Sequence, residues 1–327
     1  MWSATASGAW RGPFGAGRLF SSQMVTRTLV CATRRSMLAL AQSRAFVVRL
    51  RASDPLLETR ELAIVTSGDR IQDRPLAEIG GKGLFVKEIE EALLEKRADF
   101  AVHSMKDVPW GLPAGLVLAC VPGREDARDA LVAPRHATLE GLPKGARVGT
   151  SSLRRMVSLH ARRPDLDVVP LRGNVDTRLR KVDAGECDGI VIAMAGLVRL
   201  GLEQRATEVL PPSVSLPAPG QGALGIECRA DDVATRTVLE RLHDRDAATC
   251  VAAERGVLMA VGGDCKTPLG AYAERAGGDL RLIAFIARPD GSGLRRSERR
   301  LPWPGTEHSA RDAGVELGRL LCDAIGN

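Results

Sequence analysis

Twelve polar or charged residues fall directly after segments that read as β-strands: Arg34, Ser36, Ser104, Lys106, Asp107, Thr150, Ser151, Ser152, Arg154, Arg155, Arg172 and Arg178. In open α/β sheets, ligands bind beyond the carboxyl ends of the strands and against helix N-termini. Six of these side chains are cationic and four of the others are serine. The guanidinium fork matches a carboxylate through paired hydrogen bonds. Any one of these arginines alone reads as a surface residue. Their concentration at one class of position points to a cleft for a ligand with several carboxylates.

Three residues have chemistry of their own. Asp107 is a lone carboxylate among the cations. It reads either as a counter-ion that holds them together or as a group that stabilises a positive charge formed during reaction, or moves a proton. Lys106 beside it could form a Schiff base, but nothing local desolvates it. Cys265 lies in Gly262-Gly263-Asp264-Cys265-Lys266-Thr267-Pro268, a flexible loop with Lys266 available to stabilise a thiolate. No histidine partners it, which argues against a Cys-His hydrolase. The plain alternative is an inert loop thiol. The other cysteines, at 31, 120, 187, 228, 250 and 322, read as core, and no spacing suits zinc.

These residues need strands and helices to hold them. Thr28 to Ala32 reads as a strand followed by an apolar helix from Met37, and Glu61 to Thr66 as a second strand. After Gly80-Gly81-Lys82-Gly83, residues Phe85, Ile89, Ala92 and Leu93 form one face of an amphipathic helix, with Lys87, Glu88, Glu91 and Glu95 toward water. Phe100 to His103 is a third strand. The pattern repeats with strands at Arg147 to Thr150, Asp167 to Leu171 and Gly189 to Ala193, and with helices through Leu159 and around Arg178. Ser151-Ser152 suits the N-terminus of the helix through Leu159. Alternation of this kind predicts an α/β fold with parallel sheets in two similar lobes.

Two segments could join the lobes, Val121-Pro122-Gly123-Arg124 and the proline-rich run from Pro211 to Gly222. A double crossing makes a hinge, after which Gly222 to Cys228 returns to the first lobe as another strand. The last third reads as helices around Ala234–Leu242 and Ala247–Ala260, stopping at Gly262-Gly263. Strands Leu269–Ala273, Leu280–Ala287 and Leu294–Arg299 and a helix from Ala310 to Leu321 follow. The expected division is residues 24–122 with 222–240, residues 123–221, and a small α+β domain at 241–327.

Composition narrows the classes. Aromatics are only 3%, so a nucleic-acid surface with stacking rings is disfavoured despite the net charge of +6. No apolar run approaches the ~20 residues a bilayer needs. Unpaired, widely spaced cysteines suit a reducing compartment, so a cytoplasmic protein is expected. Residues 1–23 carry Arg11, Arg18 and no acid, and Asp54 is the first acidic residue of the chain. The segment reads as a start upstream of Met24, with an organellar transit peptide as the alternative.

Six motifs occur in order: Ala32-Thr33-Arg34-Arg35-Ser36, Gly80-Gly81-Lys82-Gly83-Leu84-Phe85, His103-Ser104-Met105-Lys106-Asp107-Val108-Pro109, Gly149-Thr150-Ser151-Ser152-Leu153-Arg154-Arg155, Leu171-Arg172-Gly173-Asn174-Val175 and Pro219-Gly220-Gln221-Gly222. Together they resemble the porphobilinogen deaminase (hydroxymethylbilane synthase) family from about Leu29 to the C-terminus. The resemblance is specific through Glu227 and looser beyond. It departs at Met37, where many members have proline, and in the residues flanking Cys265.

The resemblance implies a monomeric transferase of tetrapyrrole biosynthesis, with two lobes of periplasmic-binding-protein type and a C-terminal domain. Four porphobilinogen molecules condense head to tail with loss of ammonia, and hydrolysis releases linear hydroxymethylbilane. It also implies a dipyrromethane cofactor in thioether linkage to Cys265. Asp107 matches the catalytic aspartate, near pyrrole N–H groups and the cationic azafulvene left when ammonia departs. Ser36, Lys106, Thr150, Ser152, Arg154 and Arg155 match cofactor contacts. Arg34, Arg172 and Arg178 match arginines for acetate and propionate groups, Lys82 a lysine in a loop over the cleft, and Gln221 a substrate contact. No metal, nucleic acid or membrane is implied.

Overall fold

In the computed structural model, residues 27–70, 83–262 and 267–326 are described. Residues 1–23, Lys82 and Cys265 lie outside them. The first lobe begins with β1 (Arg27–Arg34), α1 (Met37–Ser53) and β2 (Leu57–Ile64). It continues with α2 (Lys87–Leu94), β3 (Phe100–Ser104) and β4 (Leu116–Cys120). The second lobe contains β5 (Asp129–Val132), β6 (Arg147–Gly149), α3 (Leu153–Arg162), β7 (Asp167–Val169) and α4 (Val175–Asp183). It ends with β8 (Gly189–Ala193), α5 (Met194–Arg199) and β9 (Glu208–Leu210). Then come β10 (Leu224–Arg229), α6 (Val233–Glu240) and α7 (Arg245–Val261). β11 (Leu269–Ala276), β12 (Asp279–Ile286), β13 (Arg295–Pro302) and α8 (Glu307–Gly326) complete the chain.

The two lobes share a plan. One sheet runs β2-β1-β3-β10-β4 and the other β7-β6-β8-β5-β9. In each, the first three strands are parallel, as expected from the alternation. The strand added next is antiparallel and comes from a hinge crossing, β10 in one lobe and β5 in the other. The sheets are therefore mixed, and the antiparallel direction follows from a chain that re-enters after crossing. Strands β4, β5 and β9 carried no distinct signal in the sequence reading. Phe46 of α1 packs edge-on against Phe100 of β3, with ring centres 6.0 Å apart, in a core otherwise built of Leu, Val, Ile, Ala and Cys.

Helix α2 corrects one expectation. Ile89, Ala92 and Leu93 are buried as predicted, but Glu88 does not simply face water. Its carboxylate accepts the Ser67 backbone N–H at 2.8 Å and also the Ser67 hydroxyl, capping a single helical turn at Ser67–Arg70. Glu90 is buried near Glu227 and His103, which are joined by a 2.9 Å contact. Burial first, then repulsion from Glu227, raises the Glu90 carboxyl from 4.5 to about 7; His103 opposes this and Glu91 adds to it. Between those two values the folded state holds a proton that the unfolded chain releases, so stability falls as pH rises through that window. Glu90→Gln is expected to flatten this fall, measured as urea midpoints at about pH 5 and about pH 7. Parallel changes in parent and variant would show that Glu90 titrates normally.

The hinge consists of the two predicted crossings, held to one another. Glu125 N–H donates to the Gly222 carbonyl at 3.1 Å. Gly222 has a φ of +88°, and an added Cβ would strike the Glu125 carbonyl, so only glycine suits this approach. Fully buried Glu254 of α7 takes both Arg124 guanidinium nitrogens (2.7 and 3.0 Å), the Gly220 N–H (2.6 Å) and the Ala273 N–H (2.7 Å). One carboxylate thus ties both crossings to β11.

Helix α7 starts with an Asp244 cap on Ala247 N–H and ends at Gly262 in the left-handed conformation, as the glycine pair predicted. It lies directly on α8. A Cβ at Gly256 would meet the Arg311 carbonyl, and one at Gly314 would meet the Ala253 carbonyl. Both helices cover the antiparallel sheet β11-β12-β13.

Candidate functional site

β3 ends in a short 3-10 turn, Met105–Asp107. Met105 is buried and its N–H donates to the Ala223 carbonyl at 3.0 Å, so the turn is fixed to the hinge end of β10. Lys106 and Asp107 are left exposed at the end of the first-lobe sheet. Lys106 keeps solvent access, yet protein atoms crowd its ammonium. This desolvation is the largest cause of a fall in its pKa to about 8; Arg155 of the second lobe is the next cause. Asp107 and Asp129 pull upward and Arg154 adds to the fall. The turn of one lobe therefore faces the arginines of the other.

Those arginines are organised by helix starts. The Ser152 hydroxyl caps α3 by accepting Arg155 N–H at 3.4 Å, and Thr150 Oγ1 accepts Ser152 N–H at 3.2 Å. Ser151 donates to the Leu171 carbonyl at 2.9 Å. Arg178, on α4, donates from Nε to the Gly173 carbonyl at 2.8 Å. Desolvation, then Arg155 and Arg172, lower the Arg178 guanidinium to about 10, with Asp107 opposing. Arg155 and Asp107 thus each act on both Lys106 and Arg178, and Arg172 acts on Arg178.

Arg154 and Arg155 are buried, and both bind Asp129, which has no solvent exposure. Arg154 Nη1 lies 2.8 Å from Asp129 Oδ2, and Arg155 Nη2 lies 2.7 Å from Oδ1. Ser215 Oγ and Gln221 Nε2 donate to the same carboxylate at 2.7 and 2.9 Å. The two guanidinium charges hold the Asp129 carboxyl far below its usual range despite burial. Gln221 also donates to the Ala127 carbonyl at 2.7 Å, so its amide is committed to the hinge. Arg154 and Gln221 here build the wall of the site, and Arg155 is held by Asp129 and by the Val191 carbonyl at 2.9 Å.

Arg34 is paired with Asp69 (Nε to Oδ2 3.2 Å) and lies 4.3 Å from the Phe85 ring centre. Ser36 caps α1 by accepting Ala39 N–H at 3.3 Å. The counter-ions Asp129 and Asp69 escaped the sequence reading. Asp129 did leave a trace, as a carboxylate opening the apolar run Ala130-Leu131-Val132-Ala133, which demands cationic partners once buried.

The six described cysteines are free, and five are buried. Burial pushes Cys120 and Cys250 up to about 12 and Cys228 to about 11, drives Cys31 higher still, and raises Cys187 and Cys322. All six stay protonated near neutral pH, which makes them poor nucleophiles.

Among the described residues no cluster suits a metal ion, and no helix is long and apolar enough to cross a membrane. The cationic excess does fit a polyanion. Lys106 and Arg178 are depressed first by desolvation and then by neighbouring arginines, and bound carboxylates would oppose both.

Comparisons with known proteins agree. Residues 29–237 match the family model for the porphobilinogen deaminase dipyrromethane cofactor binding domain, and residues 248–323 the porphobilinogen deaminase C-terminal domain. The chain is 63% identical over 293 residues to the porphobilinogen deaminase of Sorangium cellulosum, covering 90% of this chain and 98% of that protein. Solved structures with some likeness include the BvgS periplasmic VFT2 domain of Bordetella pertussis, at 14% identity and TM-score 0.39 over 66% of this chain and 86% of that one. Another is YhfZ from Shigella flexneri, at 19% identity and TM-score 0.37 over 73% and 92%. Scores this low add nothing to the topology described above. With both family domains matched in order and the arginine-bearing strand ends gathered about Asp107, the chain belongs to the porphobilinogen deaminase family.

Proposed function

We propose that the cleft between the two lobes performs the family's reaction with Asp107 as the catalytic carboxylate and Cys265 as the cofactor anchor. The chain is a transferase of tetrapyrrole biosynthesis that condenses porphobilinogen with loss of ammonia. The observation that carries the residue assignment is that exposed Asp107 lies close enough to act on both Lys106 of its own turn and Arg178 of the second lobe, with Arg155 beside both. Each carboxylate accepted there gains charge-assisted hydrogen bonds worth roughly 1.5–3 kcal/mol apiece.

Lys106 and Arg155, with the Ser36, Thr150 and Ser152 hydroxyls, would hold the dipyrromethane; Arg154 supports Arg155 through Asp129. When bound, that group supplies the covalent pyrrole end on which the product is built. Arg34, Arg172 and Arg178 would hold the incoming substrate carboxylates, while Gln221 serves the hinge rather than the substrate. Asp107 sits where a positive charge on the substrate pyrrole is stabilised once ammonia leaves.

Cys265 is favoured because the other six thiols are pushed toward their protonated forms. Cys265→Ser is expected to give folded protein that lacks the covalent dipyrromethane mass, since a hydroxyl is the weaker nucleophile. Intact-mass measurement decides it. Retention of that mass, or its appearance on another cysteine, overturns the anchor.

A further inference from the structure

Arg255 follows Glu254 on α7 and turns to a different target. It donates from Nη1 to the Val108 carbonyl at 3.1 Å and from Nη2 to the Pro109 and Trp110 carbonyls at 2.7 and 3.3 Å. Nη1 also lies 3.7 Å from Met105 Sδ. These atoms flank Asp107 on both sides. Among the described residues no carboxylate forms an ion pair with Arg255, whereas Arg124, Arg154, Arg155 and Arg229 each have one. Desolvation lowers its guanidinium to about 10, with Glu227 opposing.

A partly buried cation that spends its fork on successive backbone carbonyls is costly unless those carbonyls must be held. Packing around it points the same way. Met105 and Val108 share an apolar cluster with Val121 and Ala223 of the hinge and with Ala247, Ala248 and Val251 of α7. Two consecutive residues of one helix thus grip the hinge and the Asp107 segment.

We infer that Arg255 is a positioning residue, which sets the Asp107 turn relative to the hinge through the Val108–Trp110 carbonyls. The inference rests on the reading of Asp107 as catalytic. Displacing a reacting group by about 1 Å can cost on the order of a hundredfold in rate. Lysine keeps the charge but cannot span several carbonyls; glutamine keeps neither.

The test compares kcat, KM for porphobilinogen and melting temperature in Arg255→Gln and Arg255→Lys enzyme carrying its cofactor. Arg255→Gln is expected to lower kcat by about ten- to a hundredfold with KM within about twofold, and Arg255→Lys to recover part of the loss. In an Asp107→Asn background, adding Arg255→Gln should lower single-turnover ammonia release by less than about twofold, because the group it positions is already disabled. A lower melting temperature with unchanged kcat overturns the inference, as does full additivity with Asp107→Asn. Near-parental turnover by Asp107→Asn alone defeats the Asp107 reading itself and takes this inference with it. If Arg255→Gln does not fold, Arg255→Lys carries the same double-variant comparison.

Discussion

Asp107→Asn is expected to fold and bind porphobilinogen, yet release ammonia at least about a hundredfold more slowly than the parent. An amide keeps the size and some hydrogen bonding of the carboxylate but not its charge, and the charge is what a developing cation requires. The alternative, a counter-ion for the arginines, is weakened by the geometry. Asp129 and Asp69 fill that role at contact distance, whereas Asp107 makes no ion pair among the described residues and acts on Lys106 and Arg178 through space. Single-turnover ammonia release at saturating porphobilinogen separates the two. A rate within a few-fold of the parent, accompanied by weaker binding, leaves Asp107 as a counter-ion.

The second large effect concerns stability. Asp129→Asn should destabilise the fold by about 3–5 kcal/mol, because Arg154 and Arg155 remain buried without their shared counter-charge. Against a total of roughly 5–15 kcal/mol, that is about a fifth of the stability or more. The folded-state carboxyl is held far below its unfolded value, so the stabilisation is present above the unfolded pKa and is lost only in strong acid. Denaturant unfolding at neutral pH checks the value. A change below about 1 kcal/mol would mean that solvent or another acid compensates the pair.

How far these features could be read in advance depended on their range along the chain. β8 was legible to the residue, at Gly189–Ala193, because a short apolar run bounded by Asp188 and Met194 needs no partner to be recognised. The helix start at Ser152, the Gly262 stop and the core cysteines were equally local. Strand β9 spans three residues and has too little periodicity to announce itself. The Asp129 site escaped for a different reason. Its partners Arg154, Ser215 and Gln221 stand 25, 86 and 92 positions away, and only the folded hinge gathers them. Arg154 and Arg155 looked alike as ligand arginines, and one buried carboxylate engages both of them.

The seam where α7 crosses α8 also constrains how the molecule makes room for its product. Gly256 and Gly314 bring the two backbones into direct contact, so neither helix can slide or roll without overlap. The pair behaves as a beam without slack, fastened to the C-terminal sheet and, through Glu254, to both hinge crossings. A polymer that gains one pyrrole per cycle cannot be housed by yielding in this beam. The space therefore falls to parts of the molecule other than this helix pair.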